Sequence, residues 1–169
     1  LWAVQDHYMH GLSTDDKLAF MLPFLAKAQL VADPAPAEAT ATVRRVIEAS
    51  GDRLKVGGDI LAYADFFLVD EPPLDPAAVK QRLEKPGVRS LLAAYERELR
   101  SVEPFAPGPL EEALKRVVEA AGVKVGDLVH AVRVAVTGKT IGPGLYDCLA
   151  ILGRERSLAR LARALPLAG

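Results

Sequence analysis

The sequence predicts an all-α protein built from two small helical subdomains that together form a helical bundle or cage rather than a sheet-based domain. Three observations carry that expectation. Apolar residues recur at the three- and four-residue spacing of amphipathic helices almost throughout. Helix stop signals fall between those runs. Strand-like alternation is confined to VRVAV, residues 132–136. A chain of 169 residues, 50% of them hydrophobic, is also long enough to bury a core.

Each element has its own local signal. A first helix is expected over residues 15–30, with Thr14 as N-cap, Leu18, Met21, Leu22 and Leu25 on one face, and Pro23 as a kink candidate. A second runs over 37–49 and stops at Ser50-Gly51, where glycine suits a C-terminal cap. The loop GDRLKVGG leads into a third helix from Asp59, burying Ile60, Leu61, Phe66 and Phe67. The segment VDEPPLDP, 69–76, breaks the pattern with prolines and acidic residues, and Asp75 caps the helix after it. It sets the expected boundary, with one subdomain over 1–70 and the other over 71–169. Further helices are expected over 76–83, 88–102 and 109–121, with a second break at 101–109. GVKVGD then opens a helix ending at Thr137-Gly138, for which VRVAV leaves a strand as the alternative. Two short helices, 143–152 and 155–165, close the chain.

Composition excludes several functions. With 21 basic and 22 acidic residues the net charge is -1, so the total points to no polyanionic partner. From Val125 onward, however, six basic residues face three acidic ones, a surplus of three positive charges. Cys148 is the only cysteine, which rules out an internal disulfide and a cysteine-built metal site and fits a reducing, cytoplasmic setting. Its apolar surroundings read as a buried structural thiol. No apolar run reaches the ~20 residues of a membrane helix, and the start LWAVQDHYMH has neither a signal-peptide pattern nor an initiator methionine. The chain is therefore expected to be an excised piece of something longer. His7, His10 and His130 do not fall in a metal-ligand spacing, so no metal site is expected. No nucleophile elbow or convergent carboxylate pair is visible, and no catalytic residue is expected.

Gly138-Lys139-Thr140 spell the end of a phosphate-binding loop, but that loop needs a glycine five places before the GK pair, where Arg133 stands. It also needs a helix directly after it, whereas Ile141, Gly142, Pro143 and Gly144 intervene. A nucleotide hydrolase is thus a distant reading. There remains a set of arginines beside turns: Arg53 after a Gly-Asp break, and Arg133 before the Thr-Gly turn. A flat guanidinium stacks on an unpaired base and donates a fork of hydrogen bonds to base edges or phosphate. The competing reading is a helical module that binds a protein partner through apolar grooves.

The run HAVRVAVTGKTIGPGLYDCLAILGRERSLARLARAL, 130–165, resembles the C-terminal end of bacterial-type glutamyl-tRNA synthetases. That pattern pairs an apolar residue with arginine, ends a small-apolar segment in TG, turns at a proline, and continues through an apolar helix into leucine-glycine-basic-glutamate-arginine and an RL-rich helix. Here it is met by Arg133, Thr137-Gly138, Pro143-Gly144-Leu145, Leu152-Gly153-Arg154-Glu155-Arg156 and Arg160-Leu161. Val123-Lys124-Val125-Gly126 resembles the entry to this segment, and WAVQDHYM, residues 2–9, resembles the join to the catalytic body. The resemblance implies that the two subdomains form the anticodon-binding helical cage of a class I synthetase whose other domain uses ATP and Mg²⁺, while this part holds no cofactor and is inactive alone. It implies tRNA(Glu) as partner, with tRNA(Gln) as an open second, no DNA or membrane partner, and a monomer. By the same resemblance Arg133 contacts an anticodon base, Pro143 and Leu145 wall its pocket, and Gly142 replaces a hydroxyl-bearing residue of some relatives. Arg53 aligns with an arginine that reads the third anticodon base. Arg154, Arg156, Arg160 and Arg163 are expected to meet the RNA backbone, with 156, 160 and 163 on one helical face.

Overall fold

In the computed structural model residues 7–169 are described; most of the WAVQDHYM segment, residues 2–6, lies outside them. Among the described residues every regular element is helical and there is no strand. The chain divides into two compact units, Leu1–Asp70 with Ile141–Gly144, and Glu71–Thr140 with Leu145–Gly169. The four residues 141–144, which the sequence places in the second subdomain, group with the first.

The first unit holds α1 (Thr14–Lys27), α2 (Ala37–Ser50) and α3 (Ile60–Leu68). The N-cap of α1 is Ser13 rather than Thr14: Ser13 has the extended backbone of a cap and its Oγ accepts the Asp16 amide at 3.1 Å, while Thr14 is already helical. Asp15 and Asp16 then lie in the first turn, where the helix dipole favours negative charge. The helix ends three residues before the expected stop because Gln29 turns to φ 60° and the Leu30 amide closes back on the Leu25 carbonyl at 3.0 Å. Gly51, at φ 53°, ends α2. In α3 the buried side is Ile60, Ala64, Phe66 and Phe67, and Leu61 stays half-exposed. A helix starting at Ile60 puts positions 60, 64 and 67 on one stripe and leaves 61 beside it. Met21, Leu25, Val43, Val46 and Ile60 complete the core of this unit.

In the second unit Asp75 caps a short turn, Pro76–Ala78, through its Oδ1 and the Ala77 amide at 3.1 Å. That turn widens into a π-helical turn, Val79–Leu83. Beyond it come α4 (Val88–Leu99), α5 (Pro107–Ala121), α6 (Val125–Thr137), α7 (Leu145–Leu152) and α8 (Arg154–Ala164), with a last 3₁₀ turn at Leu165–Leu167. α5 begins two residues early because Pro107 occupies its first turn, where a missing amide does no harm. α7 begins two residues late, since Pro143 and Gly144 remain in the turn. The Tyr95 hydroxyl donates to the Leu110 carbonyl at 3.0 Å and ties α4 to α5.

The centre of this unit is α6, which packs against α4, α5, α7, α8 and the Val79–Leu83 turn. Val132, Val134, Ala135 and Val136 are all fully buried. Packing on several sides buries residues 131, 132 and 134–136 around Arg133, and this dense run of small apolar residues explains why VRVAV mimics a strand in sequence. Cys148 is buried on α7 and forms no disulfide.

Candidate functional site

The end of α6 and the turn after it are the most constrained part of the second unit. Asp127 accepts the Lys124 amide at 3.2 Å and fixes the start of the helix. At its other end Gly138 caps with φ 82°, and its amide donates to the Val134 carbonyl at 2.8 Å. The Thr137 hydroxyl lies 2.8 Å from the Arg133 carbonyl and 2.9 Å from the Lys139 carbonyl, shares its one proton between them, and accepts the Lys139 amide at 3.2 Å. The Asp75 amide donates to the Gly138 carbonyl at 2.8 Å. A Cβ on Gly138 would stand 2.0 Å from the Pro73 carbonyl oxygen, so no other residue fits there. This turn lies at the C-terminal end of a helix, where the dipole is negative, which is the wrong end for a phosphate-binding loop.

Arg133, on α6 one turn before Gly138, is half-buried. Gly142 has φ 149°, Pro143 is buried, and Leu145 opens α7 with 3% exposure. Arg133 and Leu145 belong to the second unit, and Gly142 and Pro143 to the first; chain continuity links them.

In the first unit Arg53 closes a 3₁₀ turn, Gly51–Arg53, and is exposed, with one long hydrogen bond of 3.5 Å from its guanidinium to the Ala49 carbonyl. The loop beyond it is held by Asp59, whose Oδ2 accepts the amides of Lys55 at 2.8 Å and Val56 at 3.0 Å. Gly57 lies against the rings of Phe20 and Phe24, where a Cβ would come within 2.6 Å. The result is a well-anchored loop that presents an arginine to solvent.

The C-terminal arginines behave differently from what their spacing suggests. Arg160 is only 3% exposed and donates to the Val136 carbonyl at 2.7 Å, so it is a brace inside the unit and leaves the set of candidate RNA contacts. Its position on α8 faces α6, and that packing decides its environment. Arg163 is half-buried and donates to the Pro72 carbonyl at 2.8 Å, with Glu71 at 3.8 Å. Arg154 donates to the Val102 carbonyl and to Glu103 at 2.8 Å, and lies 5.4 Å over the Phe105 ring. Arg156 is half-buried on α8.

One group of cations has no counterpart among the residues the sequence singles out. His130 is exposed on α6, one turn before Arg133, and partial desolvation holds its imidazole below the usual histidine range. The positive charges of Arg82, Arg133 and Lys85 push it further down, and Asp127 opposes them. Arg82 and Lys85 come from the Val79–Leu83 turn and the residues just after it. In sequence they belong to an ordinary amphipathic run, and nothing in their spacing joins them to residues 130 and 133. Among the described residues no helix is long and apolar enough to cross a membrane, and no cluster of His, Cys, Asp and Glu is arranged to hold a metal.

Comparison with known proteins gives this geometry its context. The chain is 34% identical over 161 residues to the glutamate–tRNA ligase of Moorella thermoacetica, covering 95% of this chain and 33% of that protein. It is 35% identical over 159 residues to the glutamate–tRNA ligase of Roseiflexus castenholzii, covering 94% and 31%. The chain thus spans about a third of the length of the curated relatives it matches. Its fold superimposes with a TM-score of 0.82 on a crystal structure of a glutamate tRNA ligase from Elizabethkingia meningosepticum, at 20% identity, covering 99% of this chain and 32% of that one. Residues 18–165 match the anticodon binding domain family as a whole, and the chain belongs to that family.

Proposed function

We propose that the chain is the anticodon-reading part of a glutamate–tRNA ligase. The observation that carries this reading is the family match over residues 18–165, supported by relatives named as glutamate–tRNA ligases. In the whole ligase, glutamate is activated with ATP and Mg²⁺ and joined to tRNA(Glu) in a catalytic domain outside this chain. The anticodon-reading part acts as a monomer in the cytoplasm, holds no cofactor and performs no chemistry. Its two subdomains, 1–70 and 71–169, each contribute contacts.

Within that reading Arg133 supplies the base contact. The Thr137-Gly138 turn leads along the chain from it to Gly142, Pro143 and Leu145, which wall the base. Arg53, exposed on an anchored loop, reads a second position and separates tRNA(Glu) from tRNA(Gln). Backbone contacts fall to Arg156 and to the solvent-facing parts of Arg154 and Arg163. Phosphate contacts set affinity and orientation, while the few base-edge contacts set identity.

The test is titration of the chain with hairpins carrying glutamate, glutamine and unrelated anticodons. Preference for the glutamate anticodon is expected, and Arg133→Ala should remove roughly 1–3 kcal/mol of it. Arg53→Gln should change the ratio between glutamate and glutamine anticodons. Equal binding to every hairpin by the unaltered chain would refute the reading.

A further inference from the structure

Arg82 and Lys85 differ from five cations of the second unit that are held in ion pairs. Arg100 pairs with Glu96, Lys115 with Glu111, Arg116 with Glu98, Arg154 with Glu103 and Arg163 with Glu71. Among the described residues Arg82 and Lys85 have no ion-pair partner, and the Nε of Arg82 is buried with no hydrogen-bond acceptor. Arg82 lies in the π-helical turn that packs against α6, and Lys85 stands two residues beyond that turn, exposed. Asp127 on α6 opposes these charges at His130, and Glu84 is exposed between the two cations in sequence.

We propose that Arg82 and Lys85, set beside His130 and Arg133 on α6, form a phosphate-binding patch that grips the RNA backbone next to the base held at Arg133. The inference rests on the anticodon-reading proposal and adds to it a backbone anchor on a turn packed against the helix that carries the base contact. Cations without a carboxylate partner leave their outer guanidinium and ammonium donors to an incoming anion. The turn that carries Arg82 packs against the helix that carries Arg133, so a phosphate bound there fixes the register of the neighbouring base. A free phosphate offers the same chemistry, and the experiment separates the two.

Salt-dependent titration of glutamate-anticodon and unrelated hairpins is compared for the unaltered chain, Arg82→Gln/Lys85→Gln, and the charge-retaining Arg82→Lys/Lys85→Arg. Two lost phosphate contacts should reduce the slope of log affinity against log salt by about 1.4, at ~0.7 per contact on a single strand. Between 50 and 200 mM salt the unaltered chain should then weaken about sevenfold more than the glutamine double variant. The loss should be the same for every anticodon, whereas Arg133→Ala should change preference. The charge-retaining variant should keep the full slope. His130, followed by NMR, reports the geometry without RNA: its pKa should rise in the glutamine double variant, and should rise in the unaltered chain when hairpin binds.

An unchanged slope in the glutamine double variant, with anticodon preference intact, would overturn the patch and leave the anticodon reader standing. Failure of every hairpin to bind the unaltered chain would overturn both. An equal shift of His130 with inorganic phosphate at matched phosphate concentration would overturn the RNA assignment in favour of a small-anion site.

Discussion

Two sets of cations in the second unit look alike in sequence and serve opposite ends in the structure. On α8 and its approach, Arg154, Arg160 and Arg163 reach back to the carbonyls of Val102, Val136 and Pro72. At the other set, Arg82 and Lys85 form no ion pair among the described residues and raise the positive field around His130. The inward donors of the first set are architecture: a guanidinium carries five donors and can satisfy orphaned carbonyls at helix ends and in irregular segments. The second set is surface chemistry. A run of arginines therefore says that donors are needed, and only packing says whether protein or partner receives them.

The sharpest way to break the first set is to disturb what it frames. Arg160 holds the carbonyl two residues before Gly138, Arg163 holds the carbonyl next to Pro73, and Gly138 lies against Pro73 itself. Gly138→Ala introduces a Cβ 2.0 Å from a backbone oxygen at a left-handed φ of 82°. Strain in the left-handed region alone costs about 1–3 kcal/mol, and a rigid backbone contact leaves no side chain to give way. A loss of about 3 kcal/mol or more is expected, on the order of 10 °C in Tm. A Tm within about 2 °C of the unaltered chain, less than the shift for 1 kcal/mol, would mean that the 72–75 segment moves aside freely.

Arg160→Met is the next effect in size. The methionine fills much the same volume, but the Val136 carbonyl loses its donor inside the unit, which costs roughly 1–3 kcal/mol. Urea unfolding should show the loss. The salt slope of RNA binding should stay where it was, because this arginine contributes no surface charge. A lowered salt slope with unchanged stability would move Arg160 from the first set to the second.

Those expectations mark what was legible in the sequence. Helix positions were readable wherever an apolar stripe met a stop signal, as at Gly51 and Gly138, because both features act within a few residues. The capping residue of α1 was misread by one place, since Ser13 and Thr14 are chemically equivalent and only backbone geometry separates them. The TG turn that ends α6 was readable because a local pattern encodes it. The internal role of Arg160 was not, because it depends on which face of α8 meets α6, a long-range fact. The patch at Arg82 and Lys85 was hidden for the same reason, about 45 residues of chain separating it from His130.

The smallest effect tests the second set directly, through pH. His130 lies below its usual value in the folded protein, first through desolvation and then through the charges of Arg82, Arg133 and Lys85. As pH falls through about 6.5 the unfolded chain takes up the proton before the folded one does. Stability therefore declines from that pH down to the folded pKa and is flat below it; above about pH 6.5 the ring is neutral in both states and adds no slope. Because the ring is exposed, water and salt keep the effect small. His130→Gln should flatten the stability profile between about pH 5 and 6.5 without changing it at about pH 8, measured by urea unfolding. The glutamine double variant at positions 82 and 85 should reduce the part of that slope that added salt suppresses, and leave the parts due to Arg133 and to desolvation. If His130→Gln instead steepened the profile, the ring would sit in a negative field, and Arg82 and Lys85 would be neutralised by carboxylates after all.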